Sequence, residues 1–269
     1  PNEYRNYIHL GKMDYLYDKV ETYDKLKDII QGRALPDGLS DIQNGMADIE
    51  HHMLHFLDNH DEQRLASPEF AGTPQKGKPL MVVSTTISTS PTMVYFGQEV
   101  GEAGNENAGF GTHSRTSIFD YIGVPNHQRW MNGGKFDGGQ LSQSEKDLRD
   151  FYKRLLNFSI NSSALMGNFQ EIQTANRNIT PGYDIAIYSY TRWSDTQKLI
   201  VVTNFYSLAS SNFELRIPAD IIQKWNLKDG KYTGTDQLYN KSSVQLQGLN
   251  GEGKAQITIA PSESFIYQL

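Results

Sequence analysis

The chain has 269 residues, enough for one large domain or two modest ones. At 38% hydrophobic and 21% charged it has the composition of an ordinary soluble globular protein. Its formal net charge of −6 argues against nucleic acid as a partner, because phosphate binding needs a basic face. No run of about 20 apolar residues appears, so no membrane span is expected, and the absence of Cys excludes disulfides and thiolate metal sites.

The first residues, Pro1-Asn2-Glu3, include neither an initiator Met nor a signal peptide, which suggests a processed or truncated product. Met13 to Asp18 reads as a strand and Asp24 to Ile30 as a short helix with Asp24 near its cap. Gly32 and Pro36-Asp37-Gly38 break the chain before a second helical stretch, about Asp41 to His51, and the strand Met53 to Leu57. Pro79 to Ser88 is apolar and β-branched, and Pro91 to Phe96 is a further apolar run that ends at Gly97. Strands alternating with helical patterns predict βα units and a parallel sheet.

Gly101 to Gly111 is glycine-rich, but no Lys-Ser or Lys-Thr and no helix directly follows it, and Glu102 and Glu106 would repel phosphate. It reads as a long flexible βα loop. Gln143 to Ile160 is the clearest helix, with Leu148, Phe151, Tyr152, Leu155 and Leu156 on one stripe. Beyond it the texture changes. Tyr183 to Tyr190, Lys198 to Phe205, Phe213 to Ile217, Ala255 to Ile259 and Ser264 to Leu269 are short strand patterns, which predict an antiparallel β-sandwich with a boundary near residue 161.

Two clusters are candidates for chemistry. His51 and His55 have the i, i+4 spacing of a helical zinc pair, yet the glutamate of the zinc motif is missing and a strand would separate their directions, so no metal site is assigned. The stretch Asp58-Asn59-His60-Asp61-Glu62-Gln63-Arg64 crowds polar groups at a strand end. In a βα barrel that place faces the active-site mouth. A His beside a carboxylate there can hold sugar hydroxyls while the carboxylate stabilises positive charge; the rival reading is a capped turn. Tyr95-Phe96-Gly97-Gln98-Glu99 repeats the arrangement on the next strand, where Glu99 reads equally as an anchor or a ligand contact.

Phe56-Leu57-Asp58-Asn59-His60-Asp61 resembles the Asn-His-Asp signature that ends barrel strand seven in the α-amylase family of glycoside hydrolases, and Pro91 to Glu99 is similar to that family's strand-eight pattern. The resemblance covers essentially the whole chain. It implies an incomplete (β/α)8 barrel, strands six to eight, over residues 1–160 and a C-terminal β-sandwich over 161–269. It further implies that Asp61 is the carboxylate that stabilises the transition state and His60 the imidazole that binds the sugar; Asn59 resembles a supporting residue of varying role and is not assigned.

A retaining glycosidase also needs a nucleophile and a general acid. In the resembled family these lie upstream of the Asn-His-Asp motif, and no counterpart is found here; Glu3 tempts, but nothing before it forms a strand, and Pro1 to Tyr7 looks like the loop that follows the acid. The chain is therefore expected to be the C-terminal part of an α-1,4-glucan hydrolase, inactive alone, with the missing N-terminal part or self-association covering its open edge. The alternatives are an α-glucosidase or cyclomaltodextrinase-type enzyme, or a non-catalytic carbohydrate-binding relative. Calcium is frequent in the resembled family, but many of its ligands lie in the missing part, so no cofactor is assigned to this chain. A polysaccharide substrate favours an extracytoplasmic location.

Overall fold

The computed structural model describes residues 1–104, 116, 123–206, 208–239 and 242–269, so most of the glycine-rich loop read at Gly101 to Gly111 lies outside the described residues. The chain opens with helix α1, Asn2–His9, where a loop was expected over 1–7. Three extended segments then run side by side in parallel. Strand β1, Leu16–Tyr17, pairs with β2, Met53–Leu54, and His55 bridges Thr92. Each is shorter than its apolar run in the sequence.

The first shortening has a visible cause. The Asp18 carboxylate accepts the Thr22 N–H at 3.0 Å and caps a π-helical turn, Lys19–Tyr23, that runs straight into α2, Asp24–Ile30. Helix α3, Gly38–Gly45, stops at its terminal glycine, and Glu50–His52 forms a separate 3₁₀ turn where one helix was expected to reach His51. The β-branched run after Pro79 is helical: α4 spans Lys78–Thr86, and every residue from Pro79 onward in it is buried. Packing on all sides outweighs weak intrinsic propensity, and Thr86 returns its hydroxyl hydrogen to the Val82 carbonyl at 2.7 Å. After α5, Pro125–Met131, comes α6, Gln143–Asn161. Ser142 and Glu145 close a capping box at its start, and Leu148, Phe151, Tyr152 and Leu155 face the core.

The rest is one antiparallel sheet, with strands β3 (Asn168–Glu171), β4 (Ile187–Trp193), β5 (Lys198–Asn204), β6 (Ser211–Ile217), β7 (Gly230–Asp236), β8 (Ser243–Leu249), β9 (Glu252–Ile259) and β10 (Ser264–Gln268). Their spatial order is β3-β4-β5-β10-β7-β8-β9-β6, and α7, Ala219–Lys224, lies between β6 and β7. Strand β9 alternates buried and exposed residues along its whole length, as a sheet with one wet face requires. The sheet curls on itself. Ile187, Ile200 and Val202 from one end share a core with Phe213, Leu215 and Ile257 from the other. Asn176, fully buried after β3, exchanges two 2.9 Å hydrogen bonds with the backbone of Arg216 in β6 and ties the two ends together.

Strand β4 is buried on both faces because its second face meets the helices. Tyr188 shares a 2.9 Å hydrogen bond with Ser40 of α3, and Tyr190 bonds Thr86 of α4. Arg192 is fully buried, and its guanidinium donates to the carbonyls of Ile87 at 2.6 Å, Leu165 at 2.5 Å and Gly167 at 3.3 Å. Burial pulls its pKa down to about 10. The carbonyls stand where a carboxylate partner would otherwise be needed.

Candidate active-site rim

The polar crowd of the sequence sits just past the carboxyl end of the middle parallel segment. Asn59 shapes it. Its side-chain oxygen accepts the N–H groups of both Asp61 and Glu62 at 2.8 Å, an Asx turn that reverses the chain. The turn lifts His60 and Asp61 outward, where their side chains are 44% and 64% exposed and His60 Nε2 lies 3.3 Å from Asp61 Oδ2. Glu62 and Gln63 fold back instead. Tyr23 donates its hydroxyl to Glu62 at 3.2 Å, Lys19 pairs with Glu62 at 3.5 Å, and Lys27 bonds Gln63 at 3.1 Å.

Beneath the turn lies a buried ion pair. Asp58 and Arg64 are both fully buried, 3.3 Å apart, and Asp58 also accepts the Leu65 N–H. Burial pushes the Asp58 carboxyl up to about 6, against the pull of Arg64 and the Leu65 N–H. Arg64 reaches past its partner to the neighbouring segment. It donates to the Phe96 carbonyl at 2.7 Å and to Thr116 Oγ1 at 2.6 Å, and its guanidinium carbon lies 4.7 and 4.9 Å from the Tyr95 and Phe96 ring centres. One side chain thus locks the Asn59 turn to the next parallel segment.

A second buried pair stiffens the strand below. Asp18 after β1 meets His55 after β2, Nε2 to Oδ2 at 3.4 Å, while His55 Nδ1 faces the Ser84 carbonyl at 2.7 Å. Burial drives the Asp18 carboxyl up, but His55 and Thr22 outweigh it, and its pKa falls below the ordinary value.

Gly97 turns the chain after Phe96 at a φ of +83°, where a Cβ would come within 3.1 Å of Glu102 and 3.3 Å of His127. Only glycine fits that corner without strain. Glu99 leaves the rim and lines a separate cavity of about 700 Å³ with His127, Trp130 and Arg149.

The arrangement has definite chemical scope. His60 offers ring nitrogens to hydroxyl groups, and Asp61 holds a carboxylate at an open surface. Asp58 is committed to Arg64, and Glu62 to Tyr23 and Lys19, so neither of these two carboxylates is open to a substrate. Among the described residues no group of three or more His, Asp or Glu is placed to hold a metal, and no helix is long and apolar enough to cross a membrane. His51 is exposed against His52 with ring centres 4.1 Å apart, while His55 is buried, so the i, i+4 histidines do not converge.

No family model and no curated protein matches the sequence. Solved structures do match. A maltogenic α-amylase, AmyB from Thermotoga neapolitana, aligns at a TM-score of 0.65 with 17% identity, over 98% of this chain and 52% of its own. The likeness is to the α-amylase fold. A variant of AmyP in complex with maltotriose aligns at 0.63 with 19% identity, over 95% of this chain and 50% of its own. The γ-CGTase of the alkalophilic Bacillus clarkii aligns at 0.64 with 13% identity, over 100% of this chain and 34% of its own. The chain spans about half or less of the structures it matches. The α-amylase likeness read from the two motifs therefore holds at the level of fold, and the curled antiparallel sheet fits the expected β-sandwich.

Sequence reasoning picked out His60 and Asp61 and left out the residues that hold them. Asn59 carried a readable signal, since an Asx turn needs Asn or Asp two residues before the N–H it caps. Arg64 gave no sign of its burial, because arginine is seldom fully buried.

Proposed function

We propose that the chain is the C-terminal part of a retaining α-glucan hydrolase: residues 1–160 supply strands six to eight of a (β/α)8 barrel, and 161–269 form its β-sandwich. The observation that supports this most is the exposed His60–Asp61 pair raised on an Asx turn past the end of a central parallel segment. At such a barrel mouth Asp61 would stand beside the reacting carbon and stabilise the oxocarbenium-like charge that grows as the glycosidic bond breaks. His60 would hold a hydroxyl of the same sugar before and during reaction. The nucleophile and the general acid would come from strands outside residues 1–269.

The open sides of the parallel segments agree with this reading. Among the described residues β1 is an edge strand; its Tyr17 is exposed, and so are Leu10, Tyr15 and Val20 nearby in the chain. At the other side, the cavity beside Glu99 is walled by Val94, Phe96, Tyr152 and Leu156. Unpaired strand edges and uncovered apolar groups of this kind ask for a cover. The rest of the barrel would supply it on both sides.

The experiment is reducing-sugar release from soluble starch by the full-length protein and by the 269-residue chain alone. Hydrolysis by the former and none by the latter is expected. Turnover by the purified chain alone would overturn the assignment of the missing carboxylates. In the full-length protein His60→Ala should raise KM as well as lower kcat, because its hydroxyl contact exists in the ground state.

A further inference from the structure

Thr116 stands far from the rim in sequence and touches it in space. It follows Arg64 by 52 positions and lies beyond the glycine-rich stretch, yet it is only 1% exposed. A buried hydroxyl without a partner is costly. Thr116 has one, since its Oγ1 accepts the Arg64 Nε–H at 2.6 Å. A second, longer bond holds its backbone: the Tyr95 hydroxyl donates to the Thr116 carbonyl at 3.4 Å. Tyr95 and Arg64 also meet, ring centre to guanidinium carbon at 4.7 Å, so the three residues form a closed circle.

That circle fixes the base of the Asn59 turn. Asp58 and Arg64 bracket residues 59–63, so their ion pair draws together the two ends of the segment that carries His60 and Asp61. Where the base sits depends on how the guanidinium is held. Its N–H donors spread over three nitrogens. Nη1 donates to Asp58 at 3.3 Å and to the Phe96 carbonyl at 2.7 Å, while Nη2 has no hydrogen-bond partner among the described residues. Among those residues only Thr116 holds the Nε edge. Without it both remaining bonds run through one nitrogen, and a planar group held at one atom can swing about it. Burial is the largest influence raising the Tyr95 pKa, and Asp58 and Asp61 add to it through space, so the circle lies within electrostatic reach of the exposed carboxylate.

We propose that Thr116 is a positioning residue of the reaction: through Arg64 it sets the place of the Asn59 turn, and so of the Asp61 carboxylate against the reacting carbon. This rests on the function proposed above. Rate is steep in geometry, and a misplacement on the order of 1 Å can cost about 100-fold. Losing one anchor of several should cost less.

The test measures soluble-starch turnover by the full-length protein. Thr116→Val exchanges the hydroxyl for a methyl of similar shape and should lower kcat by about tenfold. Thr116→Ser keeps the acceptor oxygen and should recover most of that loss. Tyr95→Phe removes the bond to the Thr116 carbonyl, leaves a ring beside Arg64, and should give a smaller loss of the same kind. If Thr116 acts by placing the Asp61 charge, Thr116→Val should change kcat by less than about twofold once Asp61→Asn is present, because residues that act as a unit are not additive. A loss that came only from a smaller folded fraction would be equal in both backgrounds. Should Thr116→Val fail to fold, Tyr95→Phe is compared in the same two backgrounds. Unchanged kcat, equal losses with and without Asp61→Asn, or a Thr116→Ser enzyme no better than Thr116→Val would overturn this role alone. A parent that hydrolyses no glucan would overturn the proposed function, and this role with it.

Discussion

The two parts of the molecule solve the same problem in different ways. In the sheet, the long strands hydrogen-bond one another, and alternate residues of β6, β8 and β9 fill one core. In the parallel part the paired strands are two residues long, and side chains do the joining: Asp18 with His55, and Asp58 with Arg64 with Phe96. A backbone ladder needs only the right pattern. A side-chain lattice needs particular groups in particular places, and its failure should be local and steep. The buried charges lie beneath the exposed His60–Asp61 pair, and a rigid buried lattice is what can hold an exposed turn in one geometry.

The largest effect that would test this contrast is at Arg64. Arg64→Met leaves Asp58 as a buried carboxylate without its partner and should cost about 3–5 kcal/mol of stability by denaturant unfolding. In the sheet, Lys254→Met breaks a half-exposed pair with Glu214 and should change stability by no more than about 0.5 kcal/mol. Equal effects would dissolve the contrast.

Arg192 joins the two parts and comes next. Arg192→Met removes a charge satisfied by carbonyls from both sides, leaves those carbonyls bare, and should cost about 2–3 kcal/mol. Because the lost bonds bridge the parts, the unfolding transition should broaden or split, which fluorescence and far-UV dichroism followed together would detect. A single sharp transition at an unchanged midpoint would show that Arg192 couples nothing.

The smallest effect is in pH, where the two buried aspartates should have opposite signs. The folded pKa of Asp18 is lowered, so its contribution is present above its unfolded value of about 4 and is lost as pH falls through the still lower folded value. That of Asp58 is raised to about 6, so between roughly pH 6 and 4 the folded state binds a proton that the unfolded chain does not, and its contribution improves as pH falls through that window. Stability curves of Asp18→Asn and Asp58→Asn against pH should therefore depart from the parent in opposite directions. Departures of the same sign would contradict the assigned environments.

Legibility followed the same division. The start of α6 could be read from Ser142 and Glu145, and β6 and β9 from alternation, because those signals are local. Strand β8 alternates too, but Gln245, Gln247 and Gly248 dilute its apolar face, and it was not picked out. Helix α4 was obscured by its own burial: with every side chain from Pro79 inside, no amphipathic period remains to be seen. In the rim, His60 and Asp61 were legible as a motif. The Arg64 lock depends on Phe96 and on Thr116, 32 and 52 residues further along, and no local pattern carries that.

The most direct test of the central claim, that the exposed Asp61 performs chemistry on a turn held from below, compares activity with stability in one variant of the full-length protein. Asp61→Asn keeps the side-chain shape and removes the charge. Soluble-starch turnover should fall by at least about 100-fold, the loss expected for one preorganised electrostatic group. The denaturation midpoint should not move, because the Asp61 side chain is 64% exposed. Undiminished turnover in Asp61→Asn would contradict the role assigned to the rim.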